Sequence, residues 1–118
     1  MRPSSMPRDS SLYLIDIREA IERIREYLAG MSVQEFQKDR RTLDAVVRNL
    51  EVIGEASKGL SPQIKELAPD VEWRKVAGLR DILSHEYFGV DVDIVWDVVQ
   101  NKLPGLLQAV ERLLESTR

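Results

Sequence analysis

An all-α bundle of four to five antiparallel helices is the fold class this chain predicts, and three observations predict it. Apolar residues recur at steps of three and four and nowhere alternate convincingly with period two. Serine, aspartate, proline and glycine fall at the ends of those stretches, where helix caps need them. No internal repeat, low-complexity tract or linker separates the stretches, and short connections favour neighbouring helices packed antiparallel. At 118 residues the chain can bury one core without metal or disulfide staples. Residues 9–116 are therefore expected to form a single domain after a flexible N-terminus, 1–8.

The elements follow in order. Leu14, Ile17, Ile21, Ile24 and Leu28 form the seam of a first helix, which Gly30 can end in a left-handed cap. Ser32 and Glu35 make a capping-box pair, and from there Leu43, Val46, Leu50 and Ile53 carry a second long helix toward Gly59. Ser61 followed by Pro62 suits the N-cap and first turn of a short helix that Pro69 should terminate. A further helix is expected to begin near Val71 and to run through residues 80–87. Asp91 is an N-cap for a last stretch striped by Val95, Val99, Leu103, Leu106, Val110 and Leu113. Pro104 removes a backbone donor there, so the stretch reads either as one rod kinked at Pro104 or as two helices meeting near Lys102.

Composition narrows the function. Cysteine is absent, which excludes thiol nucleophiles and disulfide frameworks, removes the usual zinc ligands and fits a reducing, cytoplasmic location. The stretch Met1-Arg2-Pro3-Ser4-Ser5-Met6-Pro7-Arg8 has no apolar core, and no later run approaches the roughly 20 apolar residues of a membrane span. Neither export nor membrane insertion is indicated. Seventeen basic against twenty acidic side chains give a net charge of −3, which argues against nonspecific coating of a polyanion by the whole surface. Any such site must be local. Arg40, Arg41 and Arg48 are interspersed with Glu35, Asp39 and Asp44, so they read as a solvated helix face.

Chemistry concentrates in Arg80-Asp81-Ile82-Leu83-Ser84-His85-Glu86-Tyr87, which holds the only histidine. Residues seven apart return to within about 20° of one helix face, so Arg80 and Tyr87 share a face and Ser84 joins them. Val76, Leu79 and Leu83 would turn the other side into the core. His85 stands about 140° from Arg80 on one helix, too far around for both to converge on a small substrate. Two copies related by a two-fold axis, with this helix at the seam, would line one shared cleft with both residues. A homodimer is the expectation.

The octet, with Trp73, Gly78 and Leu79 before it and Phe88-Gly89-Val90-Asp91 after it, resembles the HEPN domains of HepT-like toxins, whose hallmark is Arg-x4-His-x-Tyr. Arg48-Asn49-Leu50-Glu51-Val52-Ile53-Gly54-Glu55-Ala56 and Val92-Asp93-Ile94-Val95-Trp96 extend the likeness, which covers residues from about Arg8 to Glu115. The resemblance implies a HEPN-type bundle dimerising through the motif helix and acting as a metal-independent endoribonuclease toxin with no cofactor. It puts catalysis on Arg80 and His85. An imidazole moves a proton near neutral pH, a guanidinium holds fixed charge, and RNA supplies its own nucleophile in the ribose 2′-hydroxyl.

Asp81, four residues before His85, can orient the ring or pair with a nearby cation, and Ser84 can support the site or simply pack. The family's usual residue at the first of these positions is asparagine, so Asp81 either favours protonated His85 or competes with phosphate for Arg80. The resemblance further implies a minimal nucleotidyltransferase antitoxin as partner, which transfers AMP to Tyr87 and blocks the cleft. Outside the family pattern, His85 can cap a helix, Arg80 can make a surface ion pair and Tyr87 can pack its ring. A noncatalytic adaptor that dimerises and docks a nucleotidyltransferase is the rival reading.

Overall fold

Where the apolar stripes fall decides which helices can stand. The computed structural model describes residues 8–79 and 91–116, and among them all regular structure is helical. The first stripe builds α1 (Arg8–Leu28), with Leu14, Ile17, Ile21, Ile24 and Leu28 all buried. The chain leaves it through Gly30 at φ 76°, a left-handed turn that glycine adopts without steric cost.

The capping box forms as expected. Ser32 Oγ accepts from the Glu35 N–H at 3.1 Å, and Glu35 Oε1 accepts from the Ser32 N–H at 2.8 Å. It opens only a short helix, α2 (Val33–Lys38), rather than the long second helix expected from Ser32. Asp39 breaks the run. Its backbone is extended, and its carboxylate accepts from the Thr42 N–H at 3.0 Å and from the Thr42 hydroxyl at 2.8 Å, which starts α3 (Arg40–Lys58). The same two bonds hold the Asp39 carboxyl below its ordinary range. Its contribution to stability is present above the usual aspartate pKa and is lost as pH falls through the depressed value.

Leu43, Val46, Leu50 and Ile53 of α3 are buried, and α3 packs along α1. Two polar contacts serve this contact face. Arg23 Nε donates to Asn49 Oδ1 at 3.0 Å, while Asn49 Nδ2 donates to the Ala45 carbonyl at 2.9 Å. Buried Ser57 donates to the Gly54 carbonyl at 2.8 Å. Both side chains thereby avoid the penalty of a buried unpaired polar group.

Ser61 caps α4 (Pro62–Glu66), whose first residue is the predicted proline. The helix ends before Pro69. Trp73, whose indole N–H donates to the Ala68 carbonyl at 3.2 Å, then begins α5 (Trp73–Ala77). The helix expected from Val71 through residue 87 therefore starts two residues later and closes at Gly78, where ψ 0° leaves the helical region. Residues 80–87 lie outside the described residues.

Asp91 accepts from the N–H groups of Asp93 and Ile94 at 2.9 and 3.3 Å and opens α6 (Val92–Asp97). This helix passes without interruption through a π-helical turn, Val98–Lys102, into α7 (Leu103–Ser116). Pro104 offers no N–H to the carbonyl one turn back and its ring crowds that position. A wider turn directly before it, in which the Leu103 N–H reaches back to the Val98 carbonyl, keeps one rod where two helices were the alternative. All six predicted stripe residues, from Val95 to Leu113, are buried, and α7 packs on α1.

Tyr13 lies against Gly59 so closely that a Cβ there would fall 2.3 Å from the ring. The backbone at Gly59 is right-handed helical, so the ring and not the dihedral angles demands glycine. Gly59→Ala should cost about 1–3 kcal/mol by urea unfolding. Most of that cost should vanish when Tyr13→Ala is combined with it.

Candidate active site

Two independent anchors hold the ends of the segment that carries the motif. On its N-terminal side, α5 packs on α3, Trp73 is buried with its indole hydrogen-bonded, and Leu79 is buried. On its C-terminal side, Asp91 caps α6, and α6 is docked on α2. The Phe36 and Trp96 rings stand 5.5 Å apart at 40°, and Gln37 Nε2 donates to Asp93 Oδ1 at 3.0 Å across 56 positions of sequence. The tilted ring pair adds to its area burial, whereas the exposed amide contact mainly sets register.

Arg80, Asp81, Ser84, His85 and Tyr87 themselves lie outside the described residues. Their distances, protonation and mutual approach are therefore not part of the geometry. The two signature segments expected around them are described. Asn49, Gly54 and Ala56 are buried on α3, and Val95 with Trp96 packs α6 against the core. Arg40 is paired with Asp44 at 3.6 Å on an exposed face, in line with its reading as a solvated helix residue.

Sequence reasoning missed a groove beside the motif. It encloses about 590 Å³ between residues 70–79 and the stretch from Val98 to Leu106. Val71, Val76, Leu79, Leu103 and Leu106 make its apolar lining, with charged side chains at the mouth. Its two sides come from separate stretches of sequence, residues 70–79 and 98–106, so no local pattern could have signalled it. Pro104 was the one hint, because the wide turn it imposes forms one wall. No group of His, Asp or Glu suited to a metal ion occurs among the described residues, and none of their helices is long and apolar enough to cross a membrane.

With this geometry in place, the chain can be set beside known proteins. Residues 17–113 match the family model described as "Ribonuclease HepT-like". A protein of Thermococcus cleftensis named "Probable ribonuclease HepT" is 44% identical over 108 residues, covering 92% of this chain and 98% of that one. A Methanocaldococcus jannaschii protein carrying the provisional name of an RNase is 41% identical over 111 residues, covering 93% and 92% respectively. A similarly named protein of Caldanaerobacter subterraneus is 39% identical over 106 residues, covering 90% and 95%. No solved structure matches the chain.

The Asp91 cap is what fixes the C-terminal anchor, so its removal has a defined consequence. Asp91→Ala should lower stability by about 1 kcal/mol and Asp91→Asn by much less, as read from chemical denaturation midpoints.

Proposed function

Because the chain belongs to the family of HepT-like ribonucleases, we propose that it is a metal-independent endoribonuclease toxin whose site is shared between two copies and silenced by AMP transfer to Tyr87. The observation that carries this reading is the family match itself. It spans residues 17–113 and so contains Arg80, His85 and Tyr87 at the family's Arg-x4-His-x-Tyr spacing.

The chemistry follows from these residue types. One imidazole takes the proton from the ribose 2′-hydroxyl, the 2′-oxygen attacks the adjacent phosphorus, and the 5′-oxygen leaves with a proton donated by the second protomer's imidazolium, giving a 2′,3′-cyclic phosphate and a 5′-hydroxyl. His85 is the proton-transfer group. Arg80 holds the phosphate and stabilises charge growing on the nonbridging oxygens. Asp81 and Ser84 support them, the first by accepting a hydrogen bond from the ring. On the helix that the sequence leads one to expect, Arg80 and His85 would stand about 140° apart, an angle that a second protomer would resolve, which is why the homodimer belongs to the proposal.

The partner is a minimal nucleotidyltransferase antitoxin in the same cytoplasm. The Tyr87 phenol oxygen attacks the α-phosphorus of ATP and pyrophosphate leaves. The attached AMP then sets a bulky base and a negative phosphodiester where RNA phosphate would enter, excluding substrate by volume and by charge.

The decisive test incubates purified protein, free of partner, with total cellular RNA in excess chelator. The parent should fragment RNA, and His85→Ala and Arg80→Ala should each lose on the order of 10²–10⁴-fold in rate with unchanged melting temperature. Intact RNA from a parent whose mass excludes AMP would instead favour a helical adaptor that docks a nucleotidyltransferase. Intact mass after incubation with the partner and ATP should rise by AMP in the parent and stay constant in Tyr87→Phe.

A further inference from the structure

We propose that α2 and α6 open from the α1–α3–α7 frame as one cooperative unit, hinged at Gly30, Asp39 and the π-helical joint before Pro104. Because Asp91 caps α6, opening releases the C-terminal anchor described above and leaves α5 docked on α3.

Cohesion of the pair comes first. The Phe36 and Trp96 rings stand 5.5 Å apart, and Gln37 Nε2 donates to Asp93 Oδ1 at 3.0 Å. Among the described elements, α6 packs chiefly on α2 and on the turn it runs into, while α2 packs on α6 and α3. The frame helices instead pack on one another, α1 against both α3 and α7. Those three have 21, 19 and 14 residues, whereas α2 and α6 have six each, too few to hold a helix in water without partners. Phe36 and Val95 are buried and Trp96 is partly buried, so closure of the pair is what covers these side chains. Sub-global opening follows cooperative units of this size.

Every described connection from this pair to the frame is a break in regular helix. Between α1 and α2 the chain turns at Gly30, φ 76°. Between α2 and α3 stands a single residue, Asp39, at φ −106° and ψ 92°, so rotation about its backbone re-aims α2. Between α6 and α7 the π-helical turn meets Pro104, which has no N–H to give. Gly105 follows. A Cβ there would meet nothing within 4 Å, and its φ is not left-handed, so neither crowding nor dihedral angle calls for glycine at a position where it weakens the helix. A groove of about 550 Å³ also lies between this joint and α1, with Val99, Leu103 and Pro104 on one side and Ile21 and Leu28 on the other. The joint therefore has room to bend. Rigid units commonly turn on a few such residues at the ends of elements.

The experiment is native-state hydrogen exchange on the full chain, corrected for intrinsic rates and followed by mass spectrometry through a series of sub-denaturing urea concentrations. Amides of residues 33–38 and 92–97 should share one degree of protection and one urea slope, and should exchange on the order of tenfold or more faster than the buried turns of α1, α3 and α7. Trp96→Leu changes α6 and should accelerate exchange in α2 by the same factor as in α6, about two- to tenfold, as loss of a ring pair implies. Gln37→Ala is the milder reciprocal: it changes an exposed contact on α2, leaves the core intact and should accelerate exchange in α6 roughly twofold. Protection and slope in α6 equal to those of α7 would overturn the unit, because the pair would then open only with the whole molecule. Variants whose effect stays on their own helix would overturn it as well.

Discussion

Burial of the α1–α3 seam is the constraint on which the other elements depend. Leu14, Ile17, Ile21 and Ile24 meet Val46, Leu50 and Ile53 with no exposed surface, and α7 closes the same core with Leu106, Val110 and Leu113. Among the other described helices, α2, α4 and α5 have five or six residues each. Isolated helices shorter than about 12–15 residues are marginal in water. Each short helix must therefore borrow stability from the long frame, and each does so through one large buried side chain: Phe36, Ile64 and Trp73. The helix that leads into the motif, α5, belongs to this dependent group.

Caps decide where that frame bends, and they act against the apolar pattern rather than with it. The stripe from Phe36 to Ile53 would permit one helix, yet Asp39 bonds Thr42 twice and forces a corner. The corner lets Phe36 turn to Trp96 and Gln37 to Asp93. A straight helix from Ser32 could not have served both α1 and α6. Local side-chain bonding to backbone competes with helix continuation wherever aspartate or serine can reach an N–H two or three residues on, and here the competition sets tertiary arrangement.

Much of this was legible in the sequence, and the exceptions share a cause. The seam of α1, the left-handed Gly30, the Ser61–Pro62 start, the Asp91 cap and the final stripe all follow from periodicity and cap chemistry, which act over four or five residues. The Asp39 corner was hidden because Lys38-Asp39-Arg40-Arg41 reads as an ordinary solvated helix face while the apolar spacing runs on. The stop at Gly78 was hidden because a single glycine is tolerated in a helix at modest cost. At Pro104 the residue was recognised but the remedy was not, since a π-helical turn depends on what the neighbouring rod must keep buried. The motif was legible as spacing and family likeness, whereas the groove beside it is made by tertiary contact alone.

Electrostatics joins these levels. A chain of net charge −3 offers a polyanion no general attraction, and at physiological salt a charge acts over about 8 Å. Substrate capture must then rely on a few cations relieved of their local carboxylates. Pairing Asp70 with Arg112 and Glu72 with Lys75 does this at the groove. Neither exposed pair contributes much to stability, but each neutralises a carboxylate at the groove mouth. Weak surface ion pairs can thus set local charge while adding little to folding.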